Sequence, residues 1–279
     1  MRIVTTNIIT KTVRDLCIQS NYHLPEDVKN TIEKSRQNEP WNIAQKTLDK
    51  IIENYNLADQ NNLPICQDTG MACVFVDVGD EVFIDGNLND AVNDGVKLGY
   101  EQGYLRKSVV SDPLERINSG DNTPAMIYTD FVPGDKLKIT VAPKGFGSEN
   151  MSQIKMLKPS DGLDGVVDFV LSAVESAGSN PCPPIVVGVG IGGTFDKAAL
   201  LAKKALLRST DKVNPNKFYA DLEEVLLKKI NELGIGPQGF GGKTTALKVF
   251  IETLPTHIAG LPCAVNINCH VARHASKEL

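Results

Sequence analysis

The run Pro183-Pro-Ile-Val-Val-Gly-Val-Gly-Ile-Gly-Gly193 carries no charge and constrains the fold more than any other part of the chain. It is too short and too rich in glycine to span a bilayer. Its opening, Pro184–Gly188, reads as a buried strand, and the glycines after it lead into a helix expected over Asp196–Arg208. A strand that passes through glycines into a helix calls for a mixed α and β fold. With 279 residues, 42% of them hydrophobic and 23% charged, the chain can build that core. At this size a folded chain buries roughly three quarters of its extended surface, so no disulfide or metal staple is required.

Upstream, helices dominate. Ile9, Val13, Leu16 and Cys17 share one helical face. Pro25-Glu-Asp27 suits a helix first turn, with proline early and acids at the positive end of the dipole. Ala44, Leu48, Ile51, Ile52 and Tyr55 make a third stripe, and Leu88–Tyr104 a fourth, with Gly95 and Gly99 on one side where another helix can come close. Ala72–Val78 reads as a buried strand. Ala125–Phe131 and Lys136–Pro143 flank the turn Pro133-Gly-Asp135 and are expected to form a hairpin. A polar, glycine-rich loop at Lys144–Met151 precedes a helix marked by Val166, Val170, Ala173, Val174 and Ala177. Phe218–Leu233 reads as a helix, Gly234–Gly242 as a glycine-rich loop, and Thr244–Leu254 as either helix or strand. The expectation is an α+β chain with an N-terminal helical part around a buried sheet, a β-hairpin middle and glycine-rich loops. No internal boundary stands out, so residues 1–279 are taken as a single domain.

The formal net charge of −5 leaves no electrostatic footprint for nucleic acid or an anionic membrane. Residues 1–7 lack an apolar run, and Arg14-Asp15 interrupt the next stretch, so no export signal is read and the cytoplasm is the expected location. The six cysteines then read as thiols or metal ligands rather than disulfides. No C-x-x-C pair marks a zinc finger or ferredoxin-type site.

Several motifs have both a chemical and an ordinary reading. Gly188-Val-Gly-Ile-Gly-Gly193 fits the dinucleotide fingerprint between strand and helix, but no second strand ending in an acid comes after it. Its ordinary reading is a tight turn whose glycines permit close packing. Gly242-Lys-Thr244 looks like the end of a phosphate-binding loop, yet the required first glycine is Pro237, which rules out an ATPase. Cys66-Gln-Asp-Thr-Gly70 gathers a thiol, an amide, a carboxylate and a hydroxyl on one turn, or is simply an Asx turn with a buried cysteine. Cys182 sits between prolines, in an extended presentation that suits a ligand or an inert loop. Near Cys269, His270, Arg273 and His274 favour a thiolate, or form a polar tail. His257, Arg106 and Lys144 read, on chemistry alone, as a structural histidine, a solvated helix end and a surface lysine.

Taken together, Ile65–Gly70, Asn118–Ala125, Lys144–Asn150, Gly188–Phe195, Gly234–Ala246 and Asn266–His270 resemble class I fumarase. This is a family of iron–sulfur hydro-lyases that also includes L-tartrate dehydratase. The likeness runs from about residue 40 to the C-terminus and keeps motif order. The family comes as one long chain or as alpha and beta subunits, and this chain resembles an alpha subunit, ending where the long form would continue. Pro255–Pro262 is more similar to fumarase than to tartrate dehydratase.

The resemblance implies a [4Fe-4S] cluster held by Cys66, Cys182 and Cys269, with Cys17, Cys73 and Cys263 left structural. Three thiolates on four irons leave one iron open as a Lewis acid. The resemblance also implies that Gln67, Asp68 and Arg106 contact a dicarboxylate, that Asp68 works with His257 as an acid–base pair, and that a glycine of the 145–147 loop, taken as Gly147, offers a backbone amide. The implied reaction is reversible hydration of fumarate to L-malate, with a beta subunit in an α2β2 assembly supplying the base. L-Tartrate dehydration is the nearest rival. A nucleotide-binding regulatory protein and an inert scaffold subunit are more distant ones.

Overall fold

The stripes expected near the N-terminus fold into helices where the spacing places them. In the computed structural model, which describes residues 2–279, the chain begins with β1 (Arg2–Thr5), α1 (Thr6–Tyr22), α2 (Glu26–Asn38) and α3 (Asn42–Asn61). Next come β2 (Met71–Gly79), β3 (Val82–Asp85), α4 (Leu88–Gln102), β4 (Met126–Val132), β5 (Leu137–Lys144), the one-turn α5 (Phe146–Glu149) and β6 (Gln153–Leu157). The chain ends with α6 (Gly162–Ala177), β7 (Ile185–Gly193), α7 (Phe195–Ala205), α8 (Lys217–Glu232), β8 (Ala246–Thr256), β9 (Leu261–Asn268) and β10 (Ala275–Glu278). The result is a mixed α and β fold, as the sequence implies.

The contacts divide the chain into two units, each assembled from separated stretches of sequence. The first comprises the segment ending at Pro25, then Tyr55–Gly145 and Arg273–Leu279; the second comprises Glu26–Asn54 and Phe146–Ala272. Consequently the N-terminal helices do not all surround one sheet. Helix α2 belongs to the second unit, where the Asp27 carboxylate accepts from Thr210 N at 2.7 Å.

In the first unit the sheet order is β10-β5-β2-β4. This corrects the expected hairpin: β4 and β5 are not partners. Strand β2 lies between them, parallel to β4 and antiparallel to β5. The Pro133–Asp135 turn does reverse the chain, but it wraps over the end of β2. A Cβ on Gly79 would stand 2.2 Å from the Gly134 carbonyl oxygen, and Gly79 N donates to Lys136 O at 2.8 Å. Local turn chemistry reports a change of direction and cannot reveal that a strand from fifty residues earlier fills the gap. Helices α1 and α4 pack closely, as Gly95 and Gly99 imply: Cβ atoms there would come within 2.6 Å of Val13 and 2.8 Å of Cys17. Their apolar faces join Val74, Val76, Ile139 and Val141 in one core.

In the second unit the sheet order is β6-β9-β7-β8. Strand β7 is buried on both faces, which explains its uninterrupted apolar run. Ile185, Val187, Val189 and Ile191 pack with α6 and α8. Gly188 and Gly190 face α7, whose Ala202 and Ala198 carbonyl oxygens would each lie 2.1 Å from an added Cβ. The glycines of the fingerprint-like motif thus serve strand–helix contact.

Candidate active-site turns

In the first unit, the turn Cys66–Gly70 sits between α3 and β2 and is held from all sides. Asp68 Oδ1 accepts from Gly70 N at 3.0 Å, which is the Asx turn. Gly70 has φ +73° and its Cα lies against the Lys144 backbone, where a Cβ would stand 2.7 Å away, so only glycine fits. The buried Tyr100 hydroxyl lies 2.9 Å from both the Thr69 and Gly70 carbonyls. Asn122, fully buried, donates to Gly70 O at 3.2 Å and accepts from Ser108 N and Val109 N. Thr69 Oγ1 donates to Arg106 O at 3.1 Å, which ties the segment of Arg106 to the turn while its side chain stays exposed. Arg273 Nη2 donates to Asp68 O.

Cys66, Gln67, Asp68 and Arg106 therefore share one framework. Gly145 is the loop glycine that reaches it: a Cβ there would come within 3.0 Å of Asp68 Oδ2. Lys144, expected at the surface, is only 5% exposed, because β5 extends through it.

In the second unit, Cys182 is exposed at φ +55°, and Cys269 follows β9. The residue after each cysteine helps to join the two segments. His270 Nδ1 lies 3.0 Å from Cys182 O, and Pro183 O accepts from both Gln238 N at 2.8 Å and Gln238 Nε2 at 2.9 Å. Gln238 comes from the glycine-rich loop, and the end of that loop is anchored by Glu39. The Glu39 carboxylate, on a residue 2% exposed, accepts from Lys243 N at 3.0 Å, Thr244 N at 2.8 Å and Thr244 Oγ1 at 2.7 Å. The backbone that resembles a phosphate cradle is thus occupied by an internal carboxylate. Burial pushes the Glu39 pKa up, but the bonds donated by Lys243, Thr244 and Trp41 outweigh it, and the net shift is downward.

Gly147 lies near the segment leading to Cys182, with the Asn180 carbonyl oxygen 3.6 Å from an added Cβ. His257 lies apart from Cys182 and His270, on the exposed turn between β8 and β9. Its Nδ1 accepts from Ala259 N at 3.2 Å, so a neutral ring carries its proton on Nε2.

None of the six cysteines is in a disulfide, and they fall into two groups. Cys17, Cys73 and Cys263 are buried; Cys66 and Cys269 are partly exposed and Cys182 is exposed. Burial pushes the Cys17 and Cys263 thiols up to about 12, so they stay protonated. The accessible three are the ones the family resemblance assigns to iron, and their chemistry fits a thiolate ligand set. Among the described residues, no group of three or more histidine, cysteine or acidic side chains could hold a single metal ion, and no helix is long and apolar enough to cross a membrane.

Asn122, Tyr100, Glu39 and Gln238 brace the candidate turns, and the sequence alone does not single them out for that. Asn122 lies in a motif that pointed to the family without a role of its own. Glu39, in Asn38-Glu-Pro40, has no sequence signal at all.

In the first unit a partly exposed thiol and a carboxylate share one braced turn, and in the second Cys182 and Cys269 lie on segments linked through His270. Residues 10–278 match the family model described as fumarate hydratase (Fumerase), and the chain belongs to that hydro-lyase family. It is 45% identical over 278 residues to a Methanocaldococcus jannaschii protein named "Putative L(+)-tartrate dehydratase subunit alpha", covering 97% of each chain. It is 31% identical over 274 residues to the L(+)-tartrate dehydratase subunit alpha of Escherichia coli K12, covering 97% of this chain and 90% of that one.

Proposed function

We propose that this chain is the iron–sulfur subunit of a hydro-lyase that interconverts fumarate and L-malate, working in the cytoplasm with a beta subunit in an α2β2 assembly. What carries this reading is the division of the cysteines: Cys66, Cys182 and Cys269 are accessible, and the other three are buried. These three thiolates would hold a [4Fe-4S] cluster. When bound, such a cluster supplies an open iron that acts as a Lewis acid toward a hydroxyl or carboxylate.

The chain's own residues then bind and orient the diacid. Arg106 presents a planar fork of N–H donors to one carboxylate. Gln67 and the amide of Gly147 add donors to the same diacid. Asp68, with one oxygen engaged by Gly70 N, keeps a fixed orientation for proton transfer. His257 works with it, exchanging a proton at Nε2 while Ala259 N occupies Nδ1. The base that takes the carbon-bound proton belongs to the beta subunit, which also keeps bulk water from the reacting diacid.

A second reading, dehydration of L-tartrate, is favoured by the names of the two relatives. Both are tested by anaerobic kinetics with fumarate, L-malate and the tartrate isomers, with and without an added beta subunit. Saturable fumarate hydration that depends on beta is expected. Turnover of tartrate alone selects the second reading, and fumarate turnover unaffected by beta overturns the two-subunit account.

A further inference from the structure

Arg273 is 5% exposed, yet its guanidinium is only partly bonded. Nη2 donates to the main-chain carbonyl of Asp68, while the buried Nε and Nη1 have no hydrogen-bond partner among the described residues. A buried guanidinium that cannot lose its proton normally finds an acceptor for each donor, because an unpaired charge in a low-dielectric setting is costly. Its place in the fold is specific. Through Asp68 it holds the turn whose Gly70 N and Thr69 Oγ1 bonds orient Asp68 and tie in Arg106. The opposite side of the turn is already satisfied by Tyr100 and Asn122. Near the same turn Asn21 Oδ1, beside Tyr100, is a buried acceptor that is also unpaired, but the two unpaired groups of Arg273 are donors on a charged guanidinium, and the group that completes them best is an anion.

We propose that Arg273 is a positioning residue for the Cys66–Gly70 turn and that its free donors receive an anionic group when the site is loaded. The proposal rests on the reading of the three accessible cysteines as cluster ligands. Two sources share the required chemistry: the thiolate and sulfide edge of an iron–sulfur cluster, and a carboxylate of the dicarboxylate substrate. Arg273 acts on Asp68 through the main chain and on the anion through charge. Replacement should therefore affect the loaded protein more than the empty one, which is the opposite of what a purely structural arginine does.

The test uses the full 279-residue chain, prepared as wild type, Arg273→Met and Arg273→Lys and reconstituted anaerobically with ferrous iron and sulfide. Three quantities are read: iron and sulfide per chain with their rate of loss, the L-malate concentration that half-perturbs the visible spectrum, and thermal unfolding of the cluster-free chain. Arg273→Met removes a charge without a full set of partners, so the cluster-free variant should unfold close to wild type. The loaded variant should lose iron about 10–100-fold faster, or need about 10–100-fold more L-malate. Arg273→Lys, which keeps the charge but not the planar fork, should fall between.

Faster iron loss assigns the anion to the cluster; a malate effect at unchanged iron retention assigns it to the substrate. The proposal is overturned if Arg273→Met retains iron and malate as wild type does, or if its only effect is to lower unfolding of the cluster-free chain. Should Arg273→Met fail to fold, Arg273→Lys decides: iron and malate retention equal to wild type overturns the proposal. A wild-type chain that takes up no iron and sulfide refutes the cluster reading instead. L-Malate titration of the cluster-free chains, followed by thermal shift, then decides the role of Arg273 alone: a shift in wild type that Arg273→Lys weakens supports it, and no difference overturns it.

Discussion

Glu39 offers the most quantitative test of how the second unit is held together. Its carboxylate accepts from Lys243 N, Thr244 N, Thr244 Oγ1 and, at 3.2 Å, Trp41 N. Glu39→Gln keeps the volume but removes the charge and turns an N–H₂ group toward backbone donors. A hydrogen bond to a charged group contributes about 1.5–3 kcal/mol, and leaving a buried donor unsatisfied costs about 1–3 kcal/mol. One amide oxygen can still accept two of the bonds, so the expected loss is about 3 kcal/mol rather than the sum of four. For a cooperative unit of roughly 150 residues, each kcal/mol moves Tm by about 2–4 °C, giving a drop of about 6–12 °C. The pH dependence comes from the lowered carboxylate pKa. A depressed pKa stabilises the fold above the unfolded-state value near 4.3 and loses that stability as pH falls through the folded value. The gap between wild type and Glu39→Gln should be full at pH 7 and shrink steadily below about pH 4.5. Thermal unfolding by circular dichroism at stepped pH reads both. A Glu39→Gln protein within about 1 °C of wild type at pH 7 would refute the cradle argument.

The remaining predictions address packing and substrate charge. Gly190→Ala places a methyl group 2.1 Å from the Ala198 carbonyl and 2.5 Å from Ala202 N. Because both are backbone atoms, it should destabilise by at least the upper part of the usual 1–3 kcal/mol range for overpacking, about 3 kcal/mol in denaturant unfolding. ATP or NAD should change neither protein's stability; a nucleotide-dependent shift in wild type would revive the dinucleotide reading. Arg106→Lys keeps the charge and loses the fork, so malate KM in the complete enzyme should rise about tenfold with folding unchanged. An unaltered KM would leave Arg106 as an exposed loop residue.

What the sequence disclosed depended on periodicity and on local chemistry. The stripe Ile9, Val13, Leu16, Cys17 was enough to place α1, and Gly95 with Gly99 foretold its packing on α4. The Asx turn at Asp68 was legible because it closes within three residues. The pairing of β4 and β5 was not, because an intervening strand leaves no mark on the sequence between them. Strand β9 leaves little trace because it is buried on both faces and carries Asn266 and Asn268, so it shows neither an alternating nor a continuous apolar pattern. Lys144, Asn122 and Arg273 share a different difficulty. Each is a polar residue that tertiary structure buries, and burial of a single polar side chain has no periodic signature. The candidate site residues stand out mainly through likeness to a family, since the chemistry around Cys66, Cys182 and His257 is open to ordinary readings.

Everything proposed for the site depends on three of the six thiols holding an iron–sulfur cluster. Iron and acid-labile sulfide per chain, measured after anaerobic reconstitution together with the visible charge-transfer absorbance, test it most directly across six single cysteine-to-alanine variants. The prediction is that Cys66→Ala, Cys182→Ala and Cys269→Ala each abolish the absorbance and lose the iron, while Cys17→Ala, Cys73→Ala and Cys263→Ala keep both. Full iron retention in Cys182→Ala, or loss in Cys263→Ala from a chain that remains folded, would contradict it.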